Sequence, residues 1–233
     1  MTKKLLQLLV SLALLCEGNL IGGMQVVVVQ DKDIPRSDLL AFINTTEPIW
    51  TYRGNQALDE NITCKVDYQF AEVNDTTYTF HRNYTEKNAS SSHKMNGRLV
   101  VSKGSRSKPQ GLCTSWVVTD DLGVRMLEIL IYQTANHTCG VFYVLPLTRS
   151  RDEHDDALLT EDDFFCELRM KDSITSIPAP PPPRGGSYQV VNRQPPSDCL
   201  EAYTDHCTGR GKHGDTQVYR HSCKAVPGSK SNE

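Results

Sequence analysis

The chain has 233 residues, with 25 Lys and Arg against 28 Asp and Glu, so its formal net charge is −3. It lacks a basic stripe interleaved with aromatic residues, which excludes nucleic acid as an expected partner. It also lacks a nucleophile elbow, a phosphate-binding Gly-rich loop and a His-Glu-x-x-His motif, so we expect neither an enzyme nor a cofactor. After loss of a leader, about 210 residues would remain, which suits one domain.

The N-terminus has the order of segments that is typical of a secretory signal peptide. Lys3 and Lys4 precede an almost unbroken apolar run over residues 5–15, and small residues such as Gly18 follow. The run is too short to cross a bilayer, which needs about 20 residues. We predict a signal peptide over residues 1–18, with cleavage as late as residue 23 as the alternative. No second apolar stretch is long enough to span a membrane, so we expect a soluble, secreted chain.

Six Asn-x-Ser/Thr sequons follow the leader, and each can accept a glycan if the chain enters a eukaryotic secretory pathway. Their acceptor residues are Asn44, Asn61, Asn74, Asn83, Asn88 and Asn136. Five of them lie between residues 44 and 90, so we expect a dense sugar coat over that part of the molecule.

Eight cysteines are present, of which Cys16 would leave with the leader. In an oxidising compartment the other seven predict a disulfide framework. Their odd number leaves one thiol that is free, blocked or paired with another molecule. The His and Cys residues near the C-terminus lack zinc-finger spacing, so no metal site is predicted.

The predicted elements begin with a short helix over residues 35–44, which Asp33 or Ser37 could cap. Eight runs rich in Val, Ile, Thr and aromatic residues follow, separated by polar turns. They span residues 48–52, 62–70, 77–84, 97–102, 112–119, 124–133, 139–145 and 163–171. A second helix is predicted over residues 197–207, with Asp198 and Glu201 spaced like a capping box. This order predicts a mainly β protein, an antiparallel sandwich or barrel.

Two segments do not fit strands. Residues 149–163 are dominated by charges, and we interpret them as a solvated linker. Residues 178–196 are rich in Pro and Gly, which favours polyproline or coil geometry and cannot join a sheet. The predicted domain therefore covers residues 24–223 with a Pro-rich insert at 178–196, and residues 224–233 form a polar tail.

A helix, eight strands and a cysteine-bearing helix in a secreted chain is the order of a lipocalin, an eight-stranded cup for one small ligand. Several pieces of the sequence resemble the tick salivary lipocalins that include the histamine-binding proteins. The pieces run Asp38-Leu-Leu-Ala-Phe-Ile-Asn44, Glu47-Pro-Ile-Trp50-Thr-Tyr52, Thr79-Phe-His-Arg-Asn-Tyr84, Cys139-Gly-Val-Phe142, Glu167-Leu-Arg169, Asp198-Cys199, and Val218-Tyr219 before Cys223. They cover most of the mature chain, and their order and spacing together are fairly specific.

The resemblance implies an eight-stranded antiparallel lipocalin barrel with a short N-terminal helix, a C-terminal helix and two disulfides. By position in the family, Cys139 would pair with Cys199, and Cys64 would pair with Cys223. The other cysteines lack counterparts in that scheme, and the sequence does not choose which two of them form a third bond. These are Cys113, Cys166 and Cys207.

Amine-binding members of the family carry Cys-Asp-aliphatic and then Glu-Leu-Trp/Tyr, because a buried cation needs carboxylates and aromatic faces. Here Gly140 stands at the position of the first acid, Glu167 keeps the second acid, and Arg169 replaces the aromatic residue. These changes disfavour a cation and make a fatty-acid mediator such as a leukotriene a rival ligand. Glu167 is either a ligand-binding acid or the partner of Arg169 or another base on the barrel wall.

The other candidate ligand-binding residues are Glu128, Trp50, Trp116, Tyr132 and Phe142. Strand alternation places Glu128 on the same face as Leu130 and Tyr132, and that face is either the outer wall or the lining of the cup. Trp50 is expected to pack as core at the closed end of the barrel. Trp116, Tyr132 and Phe142 either line the cup or simply pack.

The resemblance implies a monomeric, non-catalytic scavenger that a tick would inject into a bite. Its ligand would be a small host inflammatory mediator, namely a biogenic amine such as histamine or serotonin. The alternatives are a leukotriene or other fatty-acid mediator as ligand, and a surface antagonist of complement or of a clotting protease. No cofactor, metal or membrane is expected as a partner.

Overall fold

The computed structural model describes residues 38–55, 62–100, 114–147, 165–175, 194–208, 214–220 and 222–223. The predicted signal peptide, the charged linker, the polar tail and all but the last three residues of the Pro-rich insert lie outside these ranges. Asn61 and Cys113 also lie outside them. Within these ranges, no helix combines the length and the apolar character that a membrane span requires.

Eight antiparallel strands close into a barrel. They are β1 (Ile49–Gly54), β2 (Ile62–Asn74), β3 (Thr77–Glu86), β4 (Ala89–Leu99), β5 (Ser115–Thr119), β6 (Arg125–Gln133), β7 (Cys139–Pro146) and β8 (Phe165–Lys171). Each strand pairs with the next in the chain, β8 pairs with β1, and β1 also pairs with β2 through Ile49 and Trp50. The predicted eight-stranded antiparallel barrel is therefore confirmed.

The largest difference from the predicted strands concerns β4, which was expected at residues 97–102 and instead begins at Ala89. Lys87 and Asn88 both have positive φ, at 47° and 68°, which is the backbone of a tight two-residue hairpin turn. The strand after this turn pairs with β3 without interruption from Ala89 to Arg98. Its first six residues are mostly polar, so their composition did not indicate a strand.

The barrel wall separates two apolar clusters, because successive side chains of a strand point to opposite faces. The inner cluster includes Phe80, Leu130 and Phe142, together with residues of the N-terminal helix. The outer cluster includes Ile129, Tyr143 and residues of the C-terminal helix. A side chain can therefore be assigned to the inside or the outside of the barrel by the cluster that it joins.

The N-terminal helix α1 (Leu39–Ile43) supplies apolar side chains to the inner cluster. Its N-cap is Asp38, whose carboxylate accepts a hydrogen bond from the backbone N–H of Ala41 at 3.2 Å. The predicted caps Asp33 and Ser37 lie outside the described residues. Asp38 is the N-cap because it lies three residues before Ala41, and its carboxylate can therefore accept from the Ala41 backbone N–H.

A short helix α2 (Asp172–Thr175) follows β8, and the C-terminal helix α3 (Ser197–Cys207) has the predicted bounds. The predicted capping box of Asp198 and Glu201 is wrong, because the N-cap of α3 is Pro196 and no side chain caps the helix. The Asp198 carboxylate instead accepts a hydrogen bond from the Tyr132 hydroxyl at 2.8 Å. A two-residue strand β9 (Thr216–Gln217) then pairs with β1.

Three disulfides connect the barrel to the C-terminal part of the chain. Both bonds that the family resemblance implies are present, and the third joins β8 to α3. The pairs are Cys64–Cys223, Cys139–Cys199 and Cys166–Cys207. Helix α3 is therefore tied to the outer face of the barrel near both of its ends. Such a set of disulfides fits an extracellular or secreted protein, because cytosolic thiols are kept reduced.

Candidate functional site

Among the described residues, seven charged side chains are buried on the inner face of the barrel. Lys171 lies over the Phe42 ring, with Nζ 5.7 Å from its centroid, and the other six contact one another and are each at most 5% exposed. Of these six, three are acids and three are bases, namely Lys65, Asp67, Arg82, Glu128, Glu167 and Arg169. They come from β2, β3, β6 and β8, where they alternate with residues of the outer face. Phe80 precedes Arg82 by two residues and Leu130 follows Glu128 by two, and both belong to the inner cluster. Because alternate side chains of a strand share a face, the charged side chains point into the barrel with these apolar ones. We refer to the six residues as the inner charge cluster.

Glu128 is the most contacted acid of the inner charge cluster. Its Oε1 accepts a hydrogen bond from Nη1 of Arg82 at 2.9 Å. Its Oε2 accepts one from Nη1 of Arg169 at 2.6 Å and one from the indole Nε1 of Trp116 at 3.0 Å. Glu128 therefore joins β3, β5, β6 and β8 across the interior of the barrel.

Glu167 and Asp67 complete the pairing. Glu167 accepts from Nζ of Lys65 at 2.5 Å and from Nε of Arg169 at 2.8 Å. Asp67 accepts two bonds from Arg82, both at 2.7 Å, in the bidentate geometry that suits a guanidinium. Three acids thus face three bases, and the inner charge cluster has no formal net charge.

The bases of this cluster nevertheless have more donors than the acids use. A lysine carries three N–H donors and an arginine carries five. The bonds above use one donor of Lys65, three of Arg82 and two of Arg169. Nη2 of Arg169 lies 2.6 Å from Oε2 of Glu167, but it is buried and its geometry makes no hydrogen bond. N–H donors of the bases therefore remain unused, as do some acceptor positions of the acids, because a carboxylate can accept about four hydrogen bonds.

Gly140 stands where the amine-binding lipocalins that the chain resembles carry an aspartate, and apolar side chains fill the space beside it. A Cβ atom built on Gly140 would lie 2.9 Å from a methyl group of Leu130 and 3.1 Å from the ring of Phe42. An aspartate could enter only if these side chains moved. Next to this position, the Arg169 guanidinium lies 4.4 Å from the centroid of the Phe142 ring. A base of the protein itself thus occupies the aromatic face beside the two glutamates.

The charges of the cluster keep both glutamates ionised. Burial alone raises the pKa of Glu128, but Arg169 and Arg82 outweigh it and hold that pKa well below its usual range. Burial likewise raises the pKa of Glu167, and the charges of Lys65 and Arg169 lower it to about 2. Burial lowers the pKa of Lys65, which the charge of Glu167 opposes. The acids are therefore held in the state that accepts hydrogen bonds from the bases.

We expect these acids to make the stability of the barrel depend on pH. A carboxyl group with a lowered pKa in the folded state contributes stability above its unfolded pKa, which is about 4.3 for Glu, and loses it as the pH falls towards the folded pKa. The free energy of unfolding should therefore fall between about pH 5 and pH 2. Urea titrations at several pH values measure this fall. The variant Glu167→Gln should show a shallower fall than the wild type, and parallel curves would contradict the assignment.

Four of the six predicted ligand-binding residues lie together inside the barrel. They are Glu128, Glu167, Trp116 and Phe142. Trp116 also stacks on Phe80, with ring centroids 5.1 Å apart. Of the alternatives left open by the sequence, Glu128 faces inward, and Glu167 pairs with Arg169 and Lys65. The two acids are therefore within the barrel but already have partners.

Trp50 and Tyr132 are not part of this group. Trp50 packs with Val66 and Tyr219 in a separate cluster, and its indole donates to Asp172 at 2.8 Å. Trp50 is buried and packs as core, as expected, but its neighbour Ile49 is the residue that joins the inner cluster. Tyr132 packs against the outer cluster. The predicted shared face of Glu128 and Tyr132 is wrong, because the pairing with β7 shifts register between Leu130 and Tyr132.

Lys65, Asp67 and Arg82 were not among the predicted site residues. Lys65 and Asp67 alternate with Val66, and such a pattern normally places the charged residues outside. For Arg82 a signal was available, because Phe80 two residues earlier implies that Arg82 shares an apolar face. In the part of the chain that the structure describes, no three His, Cys, Asp or Glu residues are placed to hold a metal ion.

Comparison of the chain with models of protein families and with curated proteins finds no match.

Proposed function

We propose that this chain is a secreted lipocalin that sequesters a small host mediator inside its barrel. We further propose that the mediator presents hydrogen-bond-accepting oxygens, as leukotrienes and other fatty-acid mediators do, and is not a protonated amine. The observation that carries this proposal is the set of buried N–H donors on Lys65, Arg82 and Arg169 that the hydrogen bonds of the inner charge cluster leave unused. A buried donor without an acceptor is costly, and a ligand oxygen would relieve that cost.

The same contacts weigh against histamine and serotonin at this site. A protonated amine needs an acid, but Glu128 and Glu167 already accept five hydrogen bonds between them. Four come from N–H groups of Lys65, Arg82 and Arg169, and one comes from Trp116. An amine would add a positive charge beside the neutral cluster and Lys171, whereas the carboxylate of a fatty acid would add a negative charge that Lys171 could offset. Burying an uncompensated charge is strongly unfavourable. The space beside Gly140, where the family acid would stand, is also filled.

Secretion is supported by the disulfides together with the sequons. Asn44, Asn74, Asn88 and Asn136 are exposed, and Asn83 is half-buried. A glycan on any of the four exposed residues would project into solvent. The N-terminal sequence has the features of a signal peptide, and the resemblance to tick salivary lipocalins supports release into a host.

Calorimetric titration of the glycosylated, oxidised protein tests the proposal. Leukotriene B4 should bind with a Kd at or below about 1 μM, which corresponds to roughly 8 kcal/mol. Histamine and serotonin should give no heat of binding at the same concentrations. The variant Arg169→Met should lose most of the leukotriene affinity, because it removes Nη2 from the barrel.

The control variant for this titration is Arg53→Met. Arg53 is exposed and pairs with Asp215 outside the inner charge cluster, so leukotriene binding should not change. Binding of histamine in preference to leukotriene would overturn the choice of ligand. If none of the three ligands binds, the scavenger proposal fails, and the surface antagonist of complement or of a clotting protease becomes the function to test.

A further inference from the structure

We infer that Arg169 is a built-in occupant of a cation-binding site, and that it is the residue by which the barrel selects against amines. This inference deepens the proposed function and rests on it for its biological meaning. The inferred site is defined by the groups around the Arg169 guanidinium. These are the carboxylates of Glu128 and Glu167 and the ring of Phe142.

The surroundings of Arg169 are those that a free organic cation would require. One carboxylate lies 2.6 Å from Nη1 and another lies 2.8 Å from Nε. The Phe142 ring lies under the guanidinium, with its centroid 4.4 Å from Cζ, which is well within the range of a cation–π contact. All of these groups are buried, so water does not compete with them. Two acids and an aromatic ring of the protein thus surround the guanidinium of Arg169.

The other bases of the inner charge cluster are surrounded less closely. Arg82 is held by both oxygens of Asp67 and also donates to Glu128, but its Cζ lies farther from its nearest aromatic ring, 5.5 Å from the centroid of Phe80. Lys65 contacts one acid, Glu167. Removing Arg169 alone would therefore leave Arg82 with Asp67 and Lys65 with Glu167, while Glu128 would lose one of its two cationic partners.

The neutrality of the inner charge cluster also depends on Arg169. With Arg169 present, the three bases offset the three acids. Without it, two bases of the cluster face three acids, and the cluster carries one uncompensated negative charge next to an empty volume the size of the Arg169 side chain. A planar organic cation of matching size would restore neutrality, fill the volume and regain the aromatic contact. Arg169 therefore prevents amines from binding in two ways. Its side chain fills the volume, and its guanidinium pairs with the acids that an amine would need.

Chemical rescue of the variant Arg169→Ala by methylguanidinium chloride tests the inference. Methylguanidinium has the head group that the substitution removes. It should raise the melting temperature of Arg169→Ala in a concentration-dependent manner, whereas sodium chloride should not. By calorimetry, its affinity for the variant should exceed that for the wild type by about tenfold or more, since a desolvated cation–π contact alone is worth about that factor. Histamine should bind the variant more tightly than it binds the wild type.

Three matched proteins control the experiment. Arg53→Ala removes an exposed arginine and should gain no response to methylguanidinium. Arg169→Lys keeps a cation at the site and should also gain none. The double variant Arg169→Ala/Glu128→Gln removes the uncompensated negative charge, so it should lose the rescue that the single variant shows.

The inference is overturned if a folded Arg169→Ala protein responds to methylguanidinium no more than the wild type does. If the variant does not fold by itself, it is refolded with methylguanidinium or with sodium chloride. Higher recovery with methylguanidinium supports the inference, and equal recovery overturns it. These outcomes do not depend on leukotriene binding by the wild type, so a failure of the proposed ligand and a failure of the cation site can be told apart.

Discussion

Replacing Glu128 with leucine should lower the free energy of unfolding by about 3–5 kcal/mol, the cost of removing one partner from a buried ion pair. Glu128 is fully buried and accepts hydrogen bonds from Arg82, Arg169 and Trp116. Leucine has a similar volume, so the loss would not come from a cavity. It would come from two guanidinium groups that have lost a counter-charge in an interior that water does not reach.

Urea unfolding followed by tryptophan fluorescence measures this loss, because Trp116 lies in contact with Glu128. The matched control is Arg53→Leu, which breaks the pair of Arg53 with Asp215 at the surface and leaves the hydrogen bond from the Tyr203 hydroxyl to Asp215 in place. Exposed ion pairs contribute about 0–1 kcal/mol, so the control should lose little. A loss in Glu128→Leu no larger than that of the control would show that the cluster is hydrated in solution.

Removing the disulfide between β7 and α3 should have an effect of similar size. The bond Cys139–Cys199 closes 60 residues of chain. The double variant Cys139→Ser/Cys199→Ser should lose about 3–5 kcal/mol of unfolding free energy, because the unfolded chain regains the entropy of an open loop. Both sulfur positions are fully buried, so the two hydroxyl groups would add a cost of burial.

Hydrogen exchange distinguishes this effect from a general loss of stability. Cys166–Cys207 still ties the C-terminal end of α3 to β8 in the double variant. Protection should therefore fall most at the N-terminal turn of α3, around Cys199 and Leu200, and least near Cys207. The control is Ser197→Ala, an exposed substitution in the same turn. Uniform loss of protection along α3 would contradict the local role of the bond.

The inner charge cluster is not explained by stability alone. A buried ion-pair network can often be replaced by apolar side chains of similar volume with no loss of stability, or with a gain. The barrel already encloses an apolar cluster that includes Phe80, Leu130 and Phe142. The proposed selection of a ligand would account for six charged residues beside such a cluster. Arg169 is central to that proposed role, because it contacts two acids and lies 4.4 Å from the centroid of Phe142, closer to an aromatic ring than Arg82, which lies 5.5 Å from that of Phe80.

Much of the fold could be predicted from the sequence because it depends on local patterns. Apolar and β-branched runs between polar turns predicted the strands, and the start and end of α3 were predicted without error. The prediction failed where local patterns conflict with pairing. The polar first half of β4 is a strand because a two-residue turn at Lys87 and Asn88 brings it into register with β3. Tyr132 faces outward because of a register shift that alternation cannot reveal.

The sequence by itself determined that four strands would carry charged residues, that Glu167 would stand two residues from Arg169, and that Gly140 would replace the family acid. Only the tertiary structure decided which charges meet. Lys65 and Glu167 are 102 residues apart, and Arg82 and Glu128 are 46 apart, so their pairing depends on closure of the barrel. Closure also removes water from these charges, and this is why they must neutralise one another. The candidate site is thus a product of long-range contacts. The strands and helices around it could be predicted from local patterns, and their closure into a barrel was predicted from the resemblance to lipocalins.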